Sequence, residues 1–217
     1  MKIEWLNKKG QNELIIFFNG WGMDINAVKH LEGDFDVLMF YDYRTLQLLD
    51  ELPDLTGYDK KYVIAWSMGV WAASNICYSW NDVDMFVAIN GTERPVCDSY
   101  GIPCNIYSMT EKGMNERGRE KFFFRMLKNR EEVALFGPHK PVRLLEEQLE
   151  ELTHIREESE THRQTVNWSR AFISDYDIIF PVQNQHNWWD SRTQVISVDS
   201  GHYPFYNLKN WNDILCK

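Results

Sequence analysis

The stretch Val-Ile-Ala-Trp-Ser-Met-Gly at residues 63–69 decides the fold. Its apolar run is typical of a buried strand, and Ser67 comes directly after that run, two residues before Gly69. A serine at a sharp strand-to-helix turn needs small residues two positions away on both sides, which is the G-x-S-x-G pattern of a nucleophile elbow. Ala65 replaces the first glycine and is its smallest substitute. The alternative interpretation is a serine that caps a helix beginning at Met68.

Two later segments follow in the order that an α/β-hydrolase requires, which is serine, then acid, then histidine. Residues 173–181 carry Asp175 and Asp177 after an apolar run that predicts a strand. His202 follows the tip of another predicted strand. We therefore predict a triad of Ser67, His202 and one of these two aspartates. Spacing leaves the acid open, because residues two apart point the same way on an extended segment.

A fourth element, near the start of the sequence, predicts an oxyanion hole. The apolar run at residues 14–18 ends at Asn-Gly-Trp-Gly-Met, residues 19–23, where the glycines permit a sharp turn. In hydrolases of this type, the loop after that strand supplies one backbone N–H and the residue after the nucleophile supplies the other. The expected donors are thus Trp21 and Met68. Taken alone, the loop would be interpreted as an ordinary turn between a strand and a helix.

The overall composition fits one α/β domain spanning residues 1–217 with an insertion. A chain of 217 residues, of which 44% are hydrophobic, can bury one sizeable core. No apolar run approaches the ~20 residues of a bilayer span, and the first residues lack a signal-peptide core, so we expect a cytoplasmic protein without a membrane partner. Cysteines 77, 97, 104 and 216 have neither paired C-x-x-C spacing nor disulfide-scaffold density. We expect free thiols, no metal and no cofactor.

Strands and helices alternate along the chain, which predicts a mostly parallel central sheet with helices on both faces. The predicted strands lie near residues 13–18, 36–41, 62–66, 84–90, 104–108, 170–174 and 194–198. The predicted helices lie near residues 24–32, 45–52, 68–79 and 204–216. The alternation breaks at about residues 110–165, where helices at 115–130 and 142–164 predict a helical lid.

Charge is concentrated in the first half of this predicted lid. Residues 112–130 contain seven basic side chains and two glutamates, a net charge of +5 in a chain whose total is −9. A positive face on an acidic protein is a candidate docking surface for an anionic partner, and we select Arg117, Arg125 and Arg130 for it. The alternative is internal pairing with the glutamates of the next helix, at positions 146, 147, 150 and 151.

Together these segments resemble the BioG-type esterases. The resemblance covers nearly the whole chain apart from the lid and is carried by residues 18–24, 41–43, 65–69, 89–92, 101–103, 177–181 and 200–205. It implies hydrolysis of the methyl ester of pimeloyl-acyl carrier protein in biotin synthesis, with the acyl carrier protein as partner. It also favours Asp177 as the acid, because this residue stands four positions before Pro181 as in similar hydrolases.

Two alternatives remain open at this point. The first is a hydrolase of the same fold that acts on a small soluble ester or a menaquinone-pathway intermediate. The second is a non-catalytic binding module that retains the fold, since fold does not fix function. For the chain itself we expect a monomer with no nucleic-acid partner.

Overall fold

The computed structural model of the chain describes residues 1–49, 51–161 and 163–215. In these residues one seven-stranded sheet has the order β1-β3-β2-β4-β5-β6-β7. Its edge strand β1 runs antiparallel to β3, and the other neighbouring strands pair in parallel. The strands are β1 Lys2–Asn7, β2 Glu13–Phe18, β3 Asp36–Tyr41, β4 Lys60–Trp66, β5 Met85–Ile89, β6 Arg170–Ser174 and β7 Gln194–Val198.

The central strands are buried almost throughout, because parallel strands covered by helices have no solvated face. Every residue of β2 after Glu13 is buried, as are the last four residues of β4 and of β5. These continuous apolar runs are the same runs that predicted strands from the sequence. The core of the protein therefore lies along the sheet itself.

Helices occupy the connections between the strands. Helix α1 links β4 to β5, α2 to α5 lie between β5 and β6, α6 links β6 to β7, and α7 follows β7. Their bounds are α1 Met68–Cys77, α2 Cys104–Lys112, α3 Glu116–Met126, α4 Arg130–Leu135, α5 Leu145–Glu158, α6 Val182–Trp189 and α7 Trp211–Leu215. Within the described ranges, no helix has the length and apolar character that crossing a bilayer requires.

The carboxyl ends of β2, β4, β5, β6 and β7 meet at one edge of the sheet. Parallel register puts Phe18 beside Ala65, Trp66 beside Ile89, and Ser174 beside Val198. The loops that follow these strands consequently converge. Ligands of open α/β sheets bind at this edge, which is where the predicted site residues lie.

Several local predictions were wrong. Residues 104–108 form part of helix α2 instead of a strand, because Pro103 stands at the N-cap position before the helix and Asp98 Oδ1 accepts from the Cys104 N–H at 2.8 Å. The short segment at residues 104–108 is compatible with the spacing of side chains in a helix and with that in a strand. The described residues of 45–52 form no helix, since the chain there bonds to Met1 through Gln47 O and the Leu49 N–H.

Two other predicted helices are much shorter than expected. Residues 24–32 contain one 3₁₀ turn, Ile25–Ala27, and the segment at 204–216 is helical only in α7. Strand β1 and helix α6 were not predicted at all. The predicted lid helices correspond to α3 and α5, and helices α2 and α4 are additional. Cys216 and the end of the last predicted helix lie outside the described residues.

Candidate active site

Ser67 occupies a strained turn between β4 and α1. Its φ of 59° and ψ of −124° are unusual for a residue with a side chain. The turn is tightly enclosed: a Cβ on Gly69 would lie 2.3 Å from Phe18 O, and a Cβ on Gly91 would lie 2.3 Å from Ser67 O. The Ser67 side chain makes no capping hydrogen bond to α1. This geometry is that of an elbow and not of a helix cap.

The structure brings Ser67, His202 and Asp177 together. His202 Nε2 lies 2.9 Å from Ser67 Oγ, and His202 Nδ1 lies 2.9 Å from Asp177 Oδ2. All three residues are buried, with exposed fractions of 5% for Ser67, 1% for His202 and 4% for Asp177. One imidazole therefore bridges the hydroxyl and the carboxylate, which is the arrangement of a nucleophile, its base and the group that orients the base.

Asp177 is held by four donors. Its Oδ1 accepts from the backbone N–H groups of Ile179 and Phe180 at 2.9 Å each. Its Oδ2 accepts from Gln185 Nε2 at 3.0 Å as well as facing His202. The competing Asp175 is exposed and accepts a hydrogen bond from Ser197 Oγ instead. Of the two aspartates, the structure places Asp177 against the imidazole.

The backbone of His202 is also fixed. Its carbonyl oxygen accepts from Trp66 Nε1 at 2.9 Å and from Asn90 Nδ2 at 3.0 Å. The Asn90 side chain also bonds to Ser174, through the Ser174 N–H and hydroxyl at 2.8 Å each, so it links β5, β6 and the histidine loop. Asn90 has a φ of 47°. Neither Asn90 nor Gln185 was given a role from the sequence; Asn90 stood in a quoted motif, and Gln185 carried no signal.

The backbone N–H groups of Trp21 and Met68 are the predicted oxyanion donors. Met68 is the first residue of α1, so its N–H has no partner inside the helix. Within the described ranges, neither N–H donates a hydrogen bond to another protein atom. Both residues line the same pocket as Ser67 and His202. Two backbone N–H groups without a protein partner thus belong to residues that line this pocket, and the oxyanion hole stays a prediction.

A mainly apolar pocket opens at Ser67. Helices α2, α3 and α5 contribute Ile106, Tyr107, Phe122 and Leu152 to its wall. Burial raises the pKa of the Tyr107 hydroxyl well above its usual value, and this neutral hydroxyl donates to Leu152 O at 2.8 Å. Apolar walls with a few converging polar groups are typical of a ligand site.

An outer groove adjoins this pocket between α2 and α3. Arg117, Lys121 and Arg125 line the groove at four-residue spacing on one face of α3, and Arg125 also reaches the Ser67 pocket. Arg130 begins α4 and does not line the groove. The charge pattern of the sequence thus pointed to Arg130, which lies outside the groove, and missed Lys121, which lines it.

The acidic helix α5 does not neutralise these arginines. Its glutamates pair elsewhere: Glu150 with Arg44, and Glu151 with Arg143. Glu147 pairs with Lys2, Arg44 and Arg143. Arg117, Arg125 and Arg130 are exposed and form no ion pair with any residue that the structure describes. The internal pairing considered from the sequence is therefore not the one observed.

Among the described residues, no group of three or more His, Cys, Asp or Glu side chains is arranged to hold a metal ion. Cys77, Cys97 and Cys104 are free thiols.

Sequence comparison identifies the family of the chain. The family described as pimeloyl-ACP methyl esterase BioG matches residues 1–214. The chain belongs to the BioG family. A malonyl-[acyl-carrier protein] O-methyltransferase from Bacteroides fragilis is 39% identical over 203 residues, which are 92% of this chain. The chain spans 41% of the length of that relative.

Structural comparison supports the same assignment. The crystal structure of BioG from Haemophilus influenzae superposes with a TM-score of 0.90 at 32% identity and covers 99% of both chains. A lipase-esterase related protein from Clostridium acetobutylicum has a TM-score of 0.63 at 10% identity, and 95% of this chain and 94% of that one are covered. At that identity the likeness concerns the fold alone. BioG members and distant esterases thus share this α/β-hydrolase fold.

Proposed function

We propose that this chain is a serine carboxylesterase that hydrolyses the methyl ester of pimeloyl-acyl carrier protein in biotin synthesis. The observation that carries the proposal is the single imidazole of His202, which faces Ser67 Oγ with one nitrogen and Asp177 with the other at 2.9 Å each. Methyl transfer does not need a serine, a histidine and an aspartate in this arrangement, whereas acyl transfer through a serine uses all three.

The mechanism follows from these contacts. His202 takes the Ser67 proton as the hydroxyl attacks the ester carbonyl, and Asp177 stabilises the imidazolium and holds its tautomer. The N–H groups of Trp21 and Met68 stabilise the developing oxyanion, an effect worth about 3 kcal/mol per donor in measured systems. His202 then returns the proton to the departing methanol. Water, activated by the same imidazole, attacks the acyl-enzyme and releases the free acid.

The family assignment supports the substrate. A carrier-bound methyl ester is what a methyltransferase acting on an acyl carrier protein would produce, and the Bacteroides fragilis relative carries such a name. The apolar pocket fits an ester better than a carboxylate, because burying an unpaired charge is costly. The methyl group therefore allows the acyl chain to enter, and the acid formed on hydrolysis should bind less well.

We also propose that the helical insertion at about residues 110–165 is a lid that receives the carrier protein. An acyl carrier protein is strongly acidic, so an enzyme of net charge −9 needs a local positive surface to attract it. The groove residues Arg117, Lys121 and Arg125 supply that surface next to the pocket, and Arg130 lies farther along the insertion. All proposed catalytic groups lie within one domain, so a monomer suffices.

Complementation tests the proposal. A biotin auxotroph that lacks its methyl-ester esterase should grow without biotin when it expresses this chain, and should not grow with the Ser67→Ala variant. Failure of the wild-type chain, expressed and reactive towards a fluorophosphonate, would leave an esterase with another substrate, such as a small soluble ester. A wild-type chain that does not react with the fluorophosphonate would instead favour a binding module.

A further inference from the structure

The oxyanion loop, residues 19–23, is fastened to helix α5 of the insertion. Trp21 Nε1 donates to Gln148 O at 2.8 Å, and Gln148 Nε2 donates to Gly22 O at 2.8 Å. The Gly22 N–H donates to Glu151 Oε2 at 3.2 Å. Three hydrogen bonds therefore join two consecutive loop residues to one helix that lies more than a hundred residues later in the chain.

These contacts are buried and specific. Gln148 and Glu151 are both 0% exposed, and their spacing of three residues puts them on the same face of α5. Gly22 has a φ of 70°, and a Cβ at that position would lie 3.2 Å from Gln148 Nε2. The backbone conformation of the loop therefore favours glycine here, and a Cβ would also press against the Gln148 amide.

Electrostatics makes the attachment hard to loosen. Burial raises the pKa of Glu151, and the neighbouring Arg143 opposes that rise. Arg143 Nη1 donates to Glu151 Oε2 at 2.6 Å and its Nη2 lies 2.9 Å from Asp42 Oδ1, while the Tyr43 N–H donates to Glu151 Oε1 at 2.9 Å. A buried charge that loses its partners is strongly destabilising. Loss of these partners would therefore destabilise the docking of α5.

We propose that Gln148 and Glu151 are positioning residues that hold the Trp21 N–H at the oxyanion site, an inference that rests on the proposed esterase function. The other donor, Met68, belongs to α1 and does not depend on α5. One of the two oxyanion donors is thus set by the insertion. The catalytic power of the site then depends on the docking of α5, in addition to any role of the insertion in binding substrate.

The deciding variant is Gln148→Met, which keeps a similar volume but removes the donor to Gly22 O. The assay compares a p-nitrophenyl ester with its thionoester, whose sulfur is a weak hydrogen-bond acceptor and gains little from the oxyanion hole. We expect kcat for the oxygen ester to fall about tenfold or more, bounded by the 10²–10³ measured for a whole donor. KM for the oxygen ester should stay nearly unchanged, and kcat for the thionoester should fall much less. The affinity of the enzyme for an alkyl boronic acid should fall in parallel with kcat for the oxygen ester.

The control is Thr153→Val. This change removes the 2.8 Å hydrogen bond from α5 to Glu111, and among the described residues Thr153 forms no hydrogen bond to the oxyanion loop. This control should keep the wild-type ratio of kcat for the oxygen ester to kcat for the thionoester. Glu151→Gln should shift the ratio in the same direction as Gln148→Met. Equal losses on both esters, unchanged boronic acid affinity, or an unfolded Gln148→Met would overturn the inference. An inactive wild-type chain would instead overturn the proposed esterase function.

Discussion

At the residue scale, the proposed site depends on how many contacts hold each reacting group in one orientation. His202 is fixed at both ring nitrogens and at its carbonyl oxygen, and the Phe180 ring lies parallel to it with centroids 6.0 Å apart. Ser67 is held in a conformation that its own side chain disfavours. The folded structure thus prepares the site before substrate arrives, which is where most of the electrostatic gain arises.

The first prediction concerns Ser67. Ser67→Ala should lose several orders of magnitude in kcat/KM while the thermal unfolding curve stays close to wild type, because the change removes only the buried hydroxyl. A fluorophosphonate followed by peptide mass spectrometry should label Ser67 in the wild-type protein. A label on any other serine would refute its role as nucleophile.

The second prediction distinguishes the two aspartates. Asp177→Asn should lower kcat about 10⁴-fold at neutral pH, as in other triads, because an amide favours the wrong imidazole tautomer. Asp175→Asn should change kcat little, since this exposed carboxylate bonds to Ser197 and not to the histidine. Steady-state kinetics on a p-nitrophenyl ester measure both. The reverse ranking would transfer the role of acid to Asp175.

At the element scale, the elbow between β4 and α1 requires space that only glycine leaves. We predict that Gly69→Ala lowers the free energy of unfolding by about 1–3 kcal/mol or more, the usual cost of overpacking. The reason is the backbone carbonyl of Phe18, which would lie 2.3 Å from the new Cβ and cannot rotate away. Urea denaturation measures the change.

Gly57→Ala is the matched control, because a Cβ at this position would have no neighbour within 4 Å. It should alter the free energy of unfolding by no more than about 0.5 kcal/mol, as surface substitutions do. Equal stability of the two variants would mean that the elbow relaxes around an added methyl group and that its close packing does not require glycine.

The element scale also explains what the sequence could predict. Ser67, His202 and the pair Asp175 and Asp177 could be predicted to lie near one another because each follows an apolar strand, and parallel strands bring their carboxyl ends together. The choice of Asp177 over Asp175 came from the family resemblance. Gln185 was not found because it reaches Asp177 from α6, whose short and polar sequence has little helical pattern. Residues 45–49 carry apolar side chains at helical spacing, yet backbone bonds to Met1 hold them in another conformation.

At the scale of the whole molecule, charge is distributed so that one face differs from the rest of an acidic protein. Arg117, Lys121 and Arg125 line the groove at the pocket. In α5, Glu147, Glu150 and Glu151 are paired with Arg44 and Arg143. Sequence counting detected the excess of positive charge. It could not assign ion-pair partners, because these depend on which helix faces meet in the fold.

The fourth prediction tests this surface. Reversing Arg117 and Lys121 to glutamate should lower kcat/KM for the carrier-bound ester, most strongly at low salt, because exposed charges are screened beyond about 8 Å at physiological ionic strength. Hydrolysis of a p-nitrophenyl ester should be nearly unchanged. Arg125 is left intact because it also lines the Ser67 pocket. Arg130→Glu should have a smaller effect, since it lies outside the groove.

Lys8→Glu with Lys9→Glu is the matched control for this double reversal. It changes the net charge by the same amount, at two exposed positions. Both positions follow Asn7, which pairs with Val37 near the amino end of β3, so they lie at the end of the sheet opposite to the pocket. Equal losses of kcat/KM for the carrier-bound ester in the two double variants would mean that only the total charge matters. Equal losses on both substrates in the groove variant would mean that α3 is structural.

The most direct test of the central claim is intact-mass measurement of the acyl carrier protein that bears the pimeloyl methyl ester, before and after incubation with this enzyme. We predict a carrier that loses the mass of one methylene, with its thioester intact, in a reaction that the wild-type chain performs and Ser67→Ala does not. Release of the whole acyl chain from the carrier, or an unchanged mass with a preparation that hydrolyses a p-nitrophenyl ester, would contradict the proposed function.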